Sequence, residues 1–230
     1  MIRALLLGLA GLLGLATVAT AAPLPPRESY SYFKISAVDT RRCAFPYCGG
    51  YFVSEVNRAR TTCADGVARE SCYVAEIDLA ALGLRDDVEG ELRATNAVFL
   101  GEIARRTDVP RLGNLRVGAA WQAPTPGPIT GAMVRVDDNG LRCIAYPCPS
   151  IDQQQVNGRL VRAIHDVELR FAPGTDDDRD EAGAAIYSGA GLLVVGRNVV
   201  IQNAGPAGDA VVLLARRYFL PVTAAVTAAE

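Results

Sequence analysis

The sequence predicts an α+β fold of two tandem repeats, each an antiparallel sheet with one short helix and a disulfide-closed loop. Three observations carry that expectation. Arg42-Cys43-Ala44-Phe45-Pro46-Tyr47-Cys48 returns as Arg142-Cys143-Ile144-Ala145-Tyr146-Pro147-Cys148, with four residues between the cysteines each time. Phe33, Val56 and Asn57 stand 100 positions before Met133, Val156 and Asn157, and further on Ile77, Asp87, Glu91 and Gly101 stand 90 positions before Val167, Asp177, Glu181 and Gly191. Hydrophobic residues make up 50% of the chain and charged ones 21%, enough apolar material for a packed core.

The chain begins Met1-Ile2-Arg3, continues apolar from Ala4 to Val18 and reaches Ala19-Thr20-Ala21. A positive start, a hydrophobic stretch and a small-x-small site read as a signal peptide over residues 1–21, so the protein is expected to be exported to the periplasm or the extracellular space. No later stretch is apolar enough to span a bilayer, so no membrane span is expected after signal cleavage. A leader over 22–28 precedes repeat 1 at 29–126. Repeat 2 follows at 129–223, with a tail at 224–230.

Within repeat 1, Tyr30 to Val38 alternates bulky with small or polar residues and predicts a strand. The first cysteine loop and Gly49-Gly50 reverse the chain into a second strand near Tyr51 to Val56. Asn57 to Ser71 is an excursion around the turn Ala64-Asp65-Gly66, and a strand resumes over Tyr73 to Leu79. Helix formers from Ala80 to Thr95, with Asp86, Asp87, Glu89 and Glu91 early, predict a short helix. Ala97 to Arg105 and Leu115 to Gln122 close the unit as strands. Repeat 2 follows the same plan without the excursion, includes a strand over Arg159 to Phe171 and ends on the apolar strand Val211 to Leu220.

Six cysteines in an exported chain fit an oxidising compartment. Their spacing suggests three local pairs, Cys43 with Cys48, Cys63 with Cys72, and Cys143 with Cys148; other connectivities and a zinc site of the four repeated cysteines are the alternatives. In the chain-entropy picture a loop this short adds roughly 2 kcal/mol, so the bridges shape loops and the core must hold the fold.

Arg-Arg-Cys-Ala-x-Pro-x-Cys-Gly-Gly-Tyr-Phe-Val at 41–53, Cys-Tyr-Val-Ala-Glu at 72–76 and Gly-Leu-Arg-Cys-Ile-x-x-Pro-Cys-Pro-Ser at 140–150 carry a resemblance. The chain resembles a family of secreted bacterial proteins with paired Cys-x4-Cys loops, whose shared domain is of unknown function. The resemblance implies export and a shared fold, and no activity or catalytic residues.

Chemistry-bearing residues are few. His165, beside Asp166, is the one histidine, and no serine stands in a nucleophile-elbow context, so no catalytic residue is assigned. Glu76, Asp78, Asp166 and Glu168 flank equivalent strands, which leaves a carboxylate hydrolase as one alternative. Asp176, Asp178 and Asp180 offer alternate carboxylates as weak calcium candidates, but Glu181 and Tyr187 stand where an EF-hand needs glycine and glutamate; capping of the second helix by Thr175 or Asp176 is the plainer reading. No metal and no cofactor are therefore expected.

A formal net charge of −2 leaves no basic field for nucleic acid. The sharper idea concerns the cysteine loops. Arg42, Phe45, Pro46 and Tyr47 in the first, and Arg142, Tyr146 and Pro147 in the second, would form preorganised binding surfaces. The sequence thus points to a non-enzymatic binding or structural module whose partner is an extracellular or periplasmic protein or a glycan. A protease inhibitor acting through a braced loop is the alternative beside the hydrolase.

Overall fold

The computed structural model describes residues 30–94 and 97–222. The expected signal peptide, the leader over 22–28, the tail over 224–230 and Thr95, the expected end of the first helix, lie outside the described residues. Strands make up 47% and helices 12% of the structure, which contains a five-stranded β-barrel with further strands outside it.

The barrel is built from β1 (Ser31–Val38), β2 (Tyr51–Glu55), β5 (Cys72–Asp78), β6 (Ala97–Arg105) and β7 (Gly113–Gln122). A short hairpin of β3 (Thr61–Thr62) and β4 (Ala68–Arg69) lies apart from it. β1 pairs antiparallel with β2 and β6, and β2 pairs antiparallel with β5. β5 then runs parallel to β7, whose antiparallel pairing with β6 closes the ring. Bulges at Ile35/Ala37, Val74/Ile77 and Leu100/Gly101 supply the bends that closure needs.

Alternation along these strands sends Phe33, Val53, Val74, Ile77, Phe99, Leu115 and Val117 inward. Leu92 of α1 (Asp86–Ala94) joins the same cluster, with Leu84 and Val88 packed against it. The helix acts as a lid on the barrel rather than as a layer of its own.

Outside the barrel, β8 (Met133–Asp138), β9 (Ile151–Gln155), β10 (Val161–Ile164), β11 (Asp166–Glu168), β12 (Leu192–Gly205) and β13 (Gly208–Pro221) continue one eleven-stranded sheet. The join is made by β13 and β7, through Leu220 opposite Gln122 and Pro221 opposite Trp121. The expected strand over Arg159 to Phe171 is broken at His165: β10 pairs β9, and β11 runs parallel to β13. These strands curve round a second cluster that contains Val136, Ile164, Leu192, Leu213 and Tyr218, with Ala182, Ala185 and Ile186 of α2 (Asp176–Tyr187).

A third cluster, of Val56, Val98, Trp121, Met133, Val156, Leu193, Val195 and Phe219, lies between barrel strands and the strands beyond them. The expected α+β fold of two tandem repeats is therefore corrected. The structure is mostly β, its sheet runs unbroken from one half to the other, and two of its strand pairings are parallel. The two short helices stand where the sequence placed them; what it could not show is barrel closure, which depends on pairings between residues far apart in the chain.

Candidate functional site

The first cysteine loop connects β1 to β2. Cys43 and Cys48 form a disulfide with Cα atoms 5.4 Å apart. Inside it the Tyr47 amide donates to the Ala44 carbonyl at 3.0 Å, and at its base the Asp39 amide donates to the Gly50 carbonyl at 2.9 Å. Gly50 lies against β5 so closely that a Cβ there would fall 2.2 Å from the Val74 carbonyl oxygen, which only glycine permits.

Residues outside the loop hold it from beneath. Arg41 grips Asp39 with both Nε and Nη2 at 2.9 Å, and the Asp39 side chain is 3% exposed. The same Nη2 donates to the Tyr47 carbonyl at 3.1 Å, and the guanidinium lies 5.9 Å from the Tyr73 ring centre. Tyr73 donates its hydroxyl to the Pro46 carbonyl at 2.9 Å. The hydrogen bonds from Arg41 hold the Asp39 carboxyl below its ordinary range, while burial raises the Tyr73 phenol. Two loop carbonyls are thus bonded from below, and Pro46 is buried.

What the loop offers outward is aromatic. Phe45 is 61% exposed and Tyr47 57% exposed. Arg106, from the β6–β7 turn, lies 5.1 Å from the centre of the Phe45 ring and is itself bound to Asp108 at 2.8 Å and Asn114 at 3.1 Å. A braced pair of aromatic rings with arginines beside them is a surface suited to binding.

The second loop is built differently. Cys143 pairs with Cys148, and the carbonyl of Tyr146 accepts from the Ala207 amide at 3.0 Å, so the loop leans on the turn between β12 and β13. Arg142 binds Asp138 through two nitrogens at 2.8 Å each. Arg142 is thereby tied to a carboxylate, whereas Arg42 has no such partner among the described residues; in the first loop Arg41 plays that part. Pro147 is buried, Tyr146 is half exposed and Ile144 is fully exposed. No hydrogen bond, ion pair or ring contact among the described residues joins the two loops.

The third disulfide, Cys63 with Cys72, closes the excursion that carries β3 and β4, and Cys72 is buried in the barrel core. Every cysteine is bridged, which replaces the zinc-site alternative. Three disulfides suggest an oxidising, extracellular or periplasmic environment. Among the described residues no helix is long and apolar enough to cross a membrane.

The other candidate residues are dispersed. His165 Nδ1 accepts from the Val211 amide at 2.9 Å, so a neutral ring carries its proton on Nε2, and its own amide donates to the Val211 carbonyl. Glu76 meets Asn114, Asp78 accepts from the Ala80 amide, Asp166 from the Val167 amide, and Glu168 binds Arg170. Thr175 and Asp178 form a reciprocal capping box on α2, and Asp176 pairs with Arg179. Among the described residues no three acidic, histidine or cysteine side chains converge as a metal would need.

Sequence reading found the exposed rings but missed their supports, Asp39, Arg41, Tyr73 and Arg106. The available signal was adjacency, since Asp39 and Arg41 precede Cys43 and Tyr73 follows Cys72. That Arg106 reaches Phe45 depends on the barrel alone.

Fold and loops together define a disulfide-braced, mostly β protein with a five-stranded barrel. The chain belongs to the family described as Domain of unknown function (DUF6748), which matches residues 32–225. Comparison with curated proteins and with solved structures finds no match.

Proposed function

We propose that this is an exported, non-enzymatic binding module that engages a partner protein in the periplasm or outside the cell through the first disulfide loop. The observation that carries the reading is that Phe45 and Tyr47 stand exposed on a loop pinned by a disulfide, by the Asp39–Arg41 pair and by Tyr73. Rigid aromatic anchors lose little conformational entropy on binding, so this surface can gain affinity without reorganising.

The test places a photo-reactive benzophenone amino acid at position 47 and irradiates the protein in its own compartment. A discrete cross-linked product supports the proposal if it disappears when Phe45 is also replaced by Ala and is absent with the probe at Arg116, an exposed residue of β7. The same products from both positions would count against it.

Full exposure of Ile144 favours a second reading, in which the other loop enters a protease cleft. Titration with elastase-like and subtilisin-like proteases decides it. Stoichiometric inhibition abolished by Ile144→Asp supports inhibition, and full residual activity removes it.

A further inference from the structure

An open cleft of about 430 Å³ is lined by Phe171, Pro173, Arg197, Leu214, Ala215 and Arg216, none of them a residue of either disulfide loop. Its floor is the β12–β13 ribbon. Arg197 stands directly opposite Leu214, so the two side chains share one face. Val195 and Gly196 face Arg217 and Ala215, which makes Arg216 the extra residue of a bulge; bulges re-aim side chains, and this one delivers a second guanidinium to the same cleft.

The two arginines differ from many others of the chain. Arg106, Arg135, Arg142, Arg170 and Arg179 each hold a carboxylate. The guanidinium groups of Arg197 and Arg216 have no hydrogen-bond or ion-pair partner among the described residues. The nearest acidic position on the ribbon's neighbour strand, Glu168 opposite Leu214, is already occupied by Arg170.

The wall is aromatic. Phe171 is 71% exposed, and Arg170 lies 5.2 Å from its ring centre. Arg170 is in turn tied to Glu168, which steadies the ring at the edge of the cleft.

We infer that this cleft binds a small organic oxyanion, a phosphate or carboxylate attached to a flat apolar body. Arg197 and Arg216 hold the oxyanion in charge-assisted hydrogen bonds, and the apolar body lies against Phe171, Pro173 and Leu214. The cleft has the size of a small-molecule site and not of a macromolecular interface.

Phenyl phosphate is the probe, titrated into the isotopically labelled protein with disulfides intact while amide resonances are followed. Inorganic phosphate and benzyl alcohol form the comparison arms. Saturable shifts confined to residues 171–174, 197 and 214–216 are expected, with inorganic phosphate weaker and benzyl alcohol unsaturable. The double variant Arg197→Gln/Arg216→Gln, whose replaced side chains are exposed and support no packing, should weaken phenyl phosphate about tenfold or more. Phe171→Ala should weaken phenyl phosphate roughly threefold and leave inorganic phosphate unchanged. Absence of saturation with phenyl phosphate, or unchanged affinity in the double variant, would overturn the inference.

Discussion

Asn57 and Asn157 each donate a hydrogen bond to the carbonyl of the residue that precedes the other. Asn57 Nδ2 reaches Val156 at 2.9 Å and Met133 at 2.7 Å, and its Oδ1 accepts from the Met133 amide. Asn157 Nδ2 reaches Val56 at 2.9 Å and Tyr32 at 2.8 Å, and its Oδ1 accepts from the Tyr32 amide. Both asparagines have positive φ, 60° and 54°, which turns each side chain out of its own strand and across the junction.

Asn57→Ala removes three hydrogen bonds and leaves backbone groups unpaired, so it should cost about 3 kcal/mol or more in urea unfolding. Asn57→Gly keeps the backbone conformation, and the difference between the two variants, about 1 kcal/mol, isolates the cost of positive φ for a side chain. Because the two asparagines bind one junction, the double Ala variant should cost less than the sum of the single ones. Strict additivity would show that each acts only on its own turn.

Trp121 donates Nε1–H to the Gly191 carbonyl at 3.1 Å in the buried third cluster, with Tyr32 at 5.6 Å between ring centres. Trp121→Phe should destabilise by roughly 1–3 kcal/mol, since the Gly191 carbonyl loses its partner. As the only tryptophan, it also makes fluorescence a reporter of the junction. An emission change that precedes loss of the far-ultraviolet dichroism would mean that the junction opens before the barrel.

Tyr218 is 1% exposed, and its hydroxyl has no hydrogen-bond partner among the described residues. A Cβ at Gly174 would lie 2.1 Å from that oxygen. Tyr218→Phe is therefore expected to be neutral or stabilising in thermal unfolding, contrary to most core substitutions, because an unpaired polar group leaves the interior. Gly174→Ala should be clearly destabilising, and Tyr218→Phe should rescue part of that loss.

Arg69 holds the Asp65 carboxyl at about 2, chiefly through its side-chain hydrogen bonds, in the turn between β3 and β4. A carboxyl whose folded value lies below its unfolded one, about 3.9, contributes stability above the unfolded value and loses it as the pH falls toward the folded one. Wild-type protein should lose melting temperature between about pH 4 and pH 2 more steeply than Asp65→Asn. Parallel profiles over that window would show that the pair does not contribute. The group is exposed, so the effect should also shrink with added salt.

The disulfides should rank by whether a cysteine belongs to the barrel core, as Cys72 does. Replacing Cys43 and Cys48 with Ser should cost about 2 kcal/mol, the value of closing a short loop, and leave the barrel intact. Replacing Cys63 and Cys72 should cost more, because a serine at position 72 places a hydroxyl in the barrel core beside Val53 and Val74. Equal losses in urea unfolding would argue that loop closure alone sets both contributions.

Several elements were readable at sequence level because their causes are local. The strand over Ala97 to Arg105 appears with those bounds, and the first strand ends at Val38 as expected. The cysteine pairs were suggested by spacing and are all present. The break at His165 was not readable, since it depends on Val211, which takes both the ring nitrogen and the backbone of a residue 46 positions away. The arginines of the cleft carried no motif either, because a bulge between two strands brings Arg216 beside Arg197.

The sequence by itself determined most strands of the first half, the bridged loops and the aromatics they carry, because each follows from the chemistry of neighbouring residues. Only the tertiary structure decided that the sheet closes into a barrel, that it continues through β7 and β13 into the other half, and that α1 packs Leu92 into the barrel core while α2 packs into the second cluster. Closure, parallel pairing and the asparagine exchange join residues tens of positions apart or more. Such contacts are selected by the packing of the whole core, and no short window of sequence contains them.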